Sequence, residues 1–296
     1  MPEPTPLLKM TGIQKRFPGV VALNNVDFRV NAGEIHALMG QNGAGKSTLI
    51  KVLTGVHTRD GGEILVDGKP FSARSPGHAQ ELGVSTVYQE VNLIPSLSVA
   101  ENLFLGRQPL RLGQLDWGTL TKRAETAVQR LDLNIDVSRR LSTYPIAIQQ
   151  MVAIARALDV SARLLILDEP TSSLDAAEVS RLFTLMRRLK ADGMGIIFIT
   201  HFLGQVYEIC DRITVLRNGA LVGEWPTSEL PPMQLVEQML GLDASQMPEH
   251  KQKTHRLIEE RRKPFFRAVG LGRKGAVEPF DLEVREGEVM GLAGLL

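Results

Sequence analysis

Between Leu7 and Val66 the apolar positions fall as in strands, broken by one helix that begins around Thr48-Leu49-Ile50-Lys51-Val52-Leu53. Asp67-Gly68 is a hairpin-type turn signal. From about Asn92 to Leu158 the leucines, running through Leu115-Asp116-Trp117 to Leu131, predict a mostly helical region. From Arg163 the pattern becomes strand, helix, strand. Leu164-Leu165-Ile166-Leu167 is a continuous apolar run, as in a parallel strand buried on both faces. Val179, Leu182, Phe183, Met186 and Leu189 recur at helical spacing, and Gly195 to Thr200 reads as a second buried strand. Ile213 to Leu216, Arg217-Asn218-Gly219 and Ala220 to Gly223 form a strand-turn-strand hairpin. This alternation predicts an α/β core around a parallel sheet.

From Asp243 to Lys263 the chain turns polar and charged, which predicts a linker. A faint repeat follows. Val26-Asp27-Phe28-Arg29-Val30-Asn31-Ala32-Gly33-Glu34-Ile35 matches Phe280-Asp281-Leu282-Glu283-Val284-Arg285-Glu286-Gly287-Glu288-Val289, and in that register Gly294 falls where Gly40 stands. The expectation is one large domain over 1–243 with a helical subdomain at about 92–158. A linker over 244–264 and an incomplete second domain over 265–296 follow it.

Hydrophobic residues make up 43% of the 296, enough for a substantial core. A net charge of +1 gives no global electrostatic footprint for nucleic acid or an anionic membrane. Cys210 is the only cysteine, which excludes an intrachain disulfide and a cysteine metal cluster and suits a reducing cytosol. No stretch approaches the ~18 apolar residues of a membrane span. Met1 to Pro6 lacks an apolar signal core and reads as a loose tail.

The chemistry concentrates at Gly40-Gln41-Asn42-Gly43-Ala44-Gly45-Lys46-Ser47-Thr48. This run fits the phosphate-binding loop pattern between a strand, Glu34 to Met39, and a helix start. Glycines let the backbone wrap closely around phosphate oxygens. The loop amides and the helix N-terminus present donors to the anion. Lys46 is placed to reach the β- and γ-phosphates and the Ser47 hydroxyl to ligate Mg²⁺.

Asp168 and Glu169 stand at the end of the buried strand, where ligands bind in open α/β sheets. Asp168 is placed to hold Mg²⁺ directly or through water, and Glu169 to act as general base on a water facing the γ-phosphate. Three further residues each carry two readings. His201, after the strand ending at Thr200, either reaches a γ-phosphate and the attacking water or is an ordinary solvated or core histidine. Gln89 either ligates Mg²⁺ and reports the state of the γ-phosphate or is a surface amide. Phe17 either stacks on adenine or belongs to the core.

As an ordered set, the phosphate loop, Gln89, Asp168-Glu169-Pro170, Ser172-Ser173-Leu174-Asp175 and His201 resemble the ATP-binding subunits of ABC transporters over nearly the whole chain. The likeness is closer to the carbohydrate-importer branch, whose subunits carry two such domains in one chain. Phe17-Pro18-Gly19-Val20 and Gly287 to Gly294 fit that branch. Tyr144 to Leu158 is most similar to its galactofuranose-importing members. The resemblance implies a P-loop ATPase fold with a β-rich N-terminal subdomain, a parallel-sheet core and a helical subdomain. It implies Mg-ATP as the bound unit, held by Phe17, Gly40, Asn42, Gly43, Ala44, Gly45, Lys46, Ser47, Thr48 and Gln89. Ser47, Gln89 and Asp168 would face the metal, with Glu169 as base and His201 as γ-phosphate sensor. It further implies two membrane permease subunits, a periplasmic sugar-binding protein and a second nucleotide-binding domain as partners, no nucleic acid, and a peripheral place on the cytoplasmic face of the inner membrane.

One segment departs from the family pattern. Tyr144-Pro145-Ile146-Ala147-Ile148 stands where Leu-Ser-Gly-Gly-Gln is usual. Pro145 supplies neither a serine hydroxyl nor an amide hydrogen to a facing γ-phosphate, and Ile146 restricts close backbone approach. Two alternatives remain: a soluble ABC ATPase acting on ribosomes or DNA, for which no basic tail is visible, and a truncated nucleotide binder without transport.

Overall fold

A computed structural model describes residues 6–88, 93–159, 162–241, 263–273 and 277–291. The tail 1–5, Gln89, Asn92, the linker 244–262 and Gly294 lie outside the described residues. The chain divides into two compact units, 1–242 and 243–296.

In the first unit β1 (Leu8–Phe17) and β2 (Val20–Val30) form a long hairpin, and β3 (Ile35–Met39) runs through the phosphate loop into α1 (Lys46–Leu53). Then come β4 (Gly61–Val66), β5 (Lys69–Pro70), α2 (Pro76–Glu81) and β6 (Val84–Val87). Asp67 and Gly68 between β4 and β5 both take positive φ, as the turn signal requires. The middle region holds α3 (Val99–Leu103), β7 (Leu110–Arg111), β8 (Gln114–Leu115), α4 (Trp117–Gln129) and α5 (Ile146–Leu158). The core resumes with β9 (Leu164–Asp168), α6 (Ala176–Ala191), β10 (Gly195–Ile199), α7 (Leu203–Ile209), β11 (Arg212–Arg217), β12 (Ala220–Pro226) and α8 (Pro232–Leu240).

Two sheets result. One has the order β2-β1-β4-β5 and is antiparallel, and the other has the order β12-β11-β3-β10-β9-β6. In the second, β11, β3, β10, β9 and β6 run parallel, and only β12 is antiparallel. The central strands are buried on both faces, which is why they read as continuous apolar runs. One face packs Leu165, Leu167, Ile196 and Phe198 against the helical region, including Phe104, Leu120 and Ile154. The other packs Leu164, Ile166 and Ile197 with Leu49, Ile50 and the inner face of β1 and β2.

The expectation of helix through Leu115-Asp116-Trp117 needs correction. Leu115 lies in β8, and the turn joining it to β7 passes through Leu112 and Gly113, both at positive φ. Asp116 is the N-cap of α4, its carboxylate accepting the Thr119 amide at 3.0 Å. Of the stretch 93–159, α3, α4 and α5 are helical, and the leucine spacing carries across breaks in the backbone.

In the second unit β13 (Pro264–Arg273) pairs antiparallel with β14 (Val277–Arg285). This hairpin repeats local features of the first. Gly270 N donates to Asp281 Oδ1 at 2.7 Å, as Gly12 N does to Asp27 Oδ1 at 2.7 Å. Arg285 N donates to Glu288 Oε2 as Asn31 N does to Glu34 Oε2. Leu8, Met10 and Ile13 are fully buried, whereas Phe266 and Leu271 at the matching register are exposed.

Candidate functional site

The phosphate loop joins the end of β3 to α1. Gly40 takes φ +147°, and a Cβ there would come within 2.3 Å of the Leu216 carbonyl oxygen. No other residue fits that position without moving β11. Gly45, the N-cap of α1, takes φ +105° with the Ala22 carbonyl 2.9 Å from a would-be Cβ. Lys46 Nζ donates to the carbonyl oxygens of Gly40 at 2.6 Å and Gln41 at 3.1 Å, folding the side chain over the loop. Ala44 is buried beneath it, while Asn42, Gly43 and Ser47 are exposed. Gly219 N donates to the Ala44 carbonyl at 3.1 Å, and Asn24 N to that of Gly219 at 2.7 Å. The β11–β12 turn therefore braces the loop from behind.

The loop opens on a cleft of about 680 Å³ lined by Phe17, Val20, Val21, Ala22, residues 42–48 and Asn218. Phe17 is 37% exposed at its rim, so the core reading of this side chain does not hold. Its ring meets the His57 ring edge-on at 5.2 Å between centroids, and Lys15 Nζ lies 5.4 Å from its centroid. Neither His57 nor Lys15 lines the cleft, so both support Phe17 from outside it.

Asp168 ends β9 opposite Ile199 of β10. Burial first, and then the adjacent Glu169 carboxylate, raise the Asp168 carboxyl above its usual range, against the pull of Lys46 and Lys51. Burial lowers the Lys46 ammonium, while Asp168 and Glu169 oppose that shift. Lys46 and the two carboxylates thus share one half-buried neighbourhood. Glu169 takes φ +49°, a left-handed conformation that is costly for a residue with a Cβ, by about 1–3 kcal/mol. Its amide donates to the Ile199 carbonyl at 2.9 Å, fastening it to the end of β10. His201 stands two residues beyond, with Nδ1 3.2 Å from Glu169 Oε2.

Among the described residues no group of three His, Cys, Asp or Glu is arranged to hold a metal. The donors fit Mg²⁺ in a different way. A hard cation of this kind takes one or two protein oxygens and completes its shell with phosphate and water. The crowding of Asp168 and Glu169 is what such a cation relieves, and Ser47 follows Lys46 in the chain. Gln89, the third expected metal-facing residue, lies outside the described residues; its neighbour Tyr88 places its hydroxyl 3.4 Å from Thr54 Oγ1.

The departing segment is well defined. Pro145 is the N-cap of α5, without a side-chain hydrogen bond to the helix, and Ile146 is 57% exposed. Tyr144 is held back by its hydroxyl on the Asp136 carbonyl at 2.8 Å.

Sequence reasoning missed Val20, Val21, Ala22 and Asn218 of the cleft and the polar residues Thr171, Thr200 and Gln205 behind the Glu169–His201 pair. The Asn218-Gly219 turn was a readable signal for Asn218; the threonine and glutamine contacts had none.

A family model described as ABC transporter matches residues 23–172, a span that includes the phosphate loop, Asp168 and Glu169. The galactofuranose transporter ATP-binding protein YtfR of Escherichia coli strain K12 is 52% identical over 295 residues, 98% of this chain and 57% of that protein. The ribose import ATP-binding protein RbsA 1 of Rubrobacter xylanophilus is 48% identical over 292 residues, 98% of this chain and 57% of that protein. The chain thus spans a little over half the length of these relatives. Among solved structures, the ADP conformation of MJ1267, an ATP-binding cassette of an ABC transporter, superimposes with a TM-score of 0.69 at 25% identity, covering 80% of this chain and 100% of that one. With the family model spanning half the chain, the phosphate loop and the carboxylates at the end of β9 included, the chain belongs to the ABC transporter family and carries its ATP-binding domain.

Proposed function

We propose that this chain binds and hydrolyses Mg-ATP to energise import of a monosaccharide through a membrane permease. One observation carries the reading: the Glu169 carboxylate lies near enough to act on both Asp168 and Lys46 of the phosphate loop, and Asp168 and Lys46 act on each other. Phosphate cradle and candidate base therefore belong to one site. In this reading Gly40, Asn42, Gly43, Ala44, Gly45, Lys46, Ser47 and Thr48 hold the phosphates and Phe17 stacks on the base. Ser47, Asp168 and Gln89 hold Mg²⁺, which when bound neutralises charge on the transferring phosphoryl group. Glu169 accepts a proton from water as its oxygen attacks the terminal phosphorus, and ADP departs. His201, in contact with Glu169, orients that carboxylate and senses the terminal phosphate.

The importer reading rests on relatives named for galactofuranose, ribose and fructose transport. Its partners are two permease subunits, a periplasmic sugar-binding protein and a second nucleotide-binding domain, in trans or in a longer chain. The site is peripheral on the cytoplasmic face of the inner membrane; among the described residues no helix is long and apolar enough to cross a membrane. In this reading a linker over 244–264 precedes a second domain starting at 265; the repeated Gly270–Asp281 and Arg285–Glu288 contacts support the second domain. The test is ATP-dependent sugar uptake into vesicles holding the permease and this protein, with galactofuranose, ribose and fructose compared. Uptake of one sugar that fails with Lys46→Ala supports the reading. ATP turnover stimulated by ribosomes or DNA, with no uptake, favours the soluble alternative.

A further inference from the structure

Glu169 and His201 are carried on loops that leave two adjacent strands, β9 and β10. Behind them lie two hydroxyls that the reaction itself does not use. Thr171, two residues past Glu169, is 3% exposed, and Thr200, one residue before His201, is 4% exposed. Thr171 Oγ1 donates to Gln205 Oε1 at 2.8 Å. Thr200 Oγ1 lies 3.3 Å from the same oxygen and accepts the Phe202 amide at 3.2 Å. With one Thr200 lone pair taken by that amide, its hydroxyl hydrogen goes to Gln205. A single amide oxygen then accepts from both hydroxyls, as its two lone pairs allow. Gln205 rides on α7, which is anchored in the core by Val206 and Ile209.

We propose that Gln205 is a positioning residue for ATP hydrolysis. Its side-chain oxygen ties the Glu169 loop to the His201 loop and fixes the spacing of the two groups. The inference rests on the hydrolytic reading above. Gln205 acts through the two threonines. Charge is not required, but an acceptor of the right length is. Glutamate keeps that acceptor, leucine abolishes it, and asparagine withdraws it by one methylene.

The test measures kcat and ATP Kd in the assembled transporter for wild type, Gln205→Leu, Gln205→Asn and Gln205→Glu. Displacing a reacting group by an ångström costs up to about a hundredfold. We expect the Leu and Asn variants to lose about tenfold or more in kcat with Kd within about twofold, and the Glu variant to stay within about twofold of wild type in both. The Asn variant serves if the Leu variant fails to fold. Wild-type kcat in both Leu and Asn variants, or equal loss in the Glu variant, overturns the inference. Absence of hydrolysis in wild type overturns the ATPase reading itself, and this inference with it; that outcome is visible before any Gln205 variant is measured.

Discussion

His201 Nδ1 lies 3.2 Å from Glu169 Oε2, although the two residues are held by different strands of the parallel sheet. The backbone bond from Glu169 N to the Ile199 carbonyl brings the loops together, and the left-handed φ of Glu169 turns its side chain out of the strand direction. A strained residue held by its neighbours is typical of a site whose geometry serves function.

From this contact, His201→Ala is expected to reduce ATP turnover about a hundredfold, within the range for groups that act in proton transfer. ATP affinity should change little, since the phosphate loop is untouched. Kcat and Kd measured on the same preparation check this. A tenfold loss of affinity with normal kcat would place His201 in ground-state binding instead.

Asp168 gives a prediction of opposite sign for stability and for binding. Its folded carboxyl is raised above the ordinary 3.8, so the folded state binds more protons than the unfolded state. Stability is therefore lost as pH rises from 3.8 through the folded value, and at neutral pH the ionised Asp168 is a cost. Asp168→Asn should raise the Tm of the nucleotide-free protein by about 2–4 °C, for a gain of about 1 kcal/mol. It should also abolish the extra stabilisation that Mg-ATP gives over ATP with chelator. Thermal unfolding with and without Mg²⁺ reads both effects.

A second buried carboxylate behaves the other way. Glu34 accepts from the Asn31 amide and side chain and meets His36 Nδ1 at 2.6 Å, while His36 Nε2 meets Thr214 Oγ1 at 2.7 Å. Burial pushes the Glu34 carboxyl up, but His36 and Asn31 together hold it below its ordinary 4.5. Its contribution to stability is complete above 4.5 and is lost as pH falls through the lower folded value. Glu34→Gln should cost about 2 kcal/mol at pH 7, as for a hydrogen bond to a charged group. Urea unfolding from pH 7 down to 3 should show that cost shrinking below 4.5; a constant difference across the range would contradict it.

Pro145 and Ile146 stand exposed at the start of α5, where a facing nucleotide site expects a hydroxyl and close backbone approach. Loss of one transition-state donor costs about 3 kcal/mol, roughly a hundredfold in rate. Pro145→Ser should therefore raise ATPase in the full complex, with the gain confined to the site this segment faces. An unchanged or lower rate would show that the segment is not limiting.

Much of this was legible in the sequence because it was local. The phosphate loop needs its glycines for reasons visible at Gly40 and Gly45, and the buried strands announce themselves as apolar runs such as Leu164 to Leu167. The start of that helical stretch differs: Leu115 belongs to a small hairpin whose turn passes through Leu112-Gly113. The link through Thr171, Thr200 and Gln205 could not be read, because it joins residues up to 34 positions apart through hydroxyl contacts that leave no periodic trace.

The central claim is that Glu169 is the base of an ATP-hydrolysing site built on the phosphate loop. The most direct test measures ATP binding and phosphate release together for wild type and Glu169→Gln in the assembled transporter. The account predicts unchanged ATP affinity and a fall in turnover of about a hundredfold or more. A Glu169→Gln protein that hydrolyses ATP at the wild-type rate would contradict it.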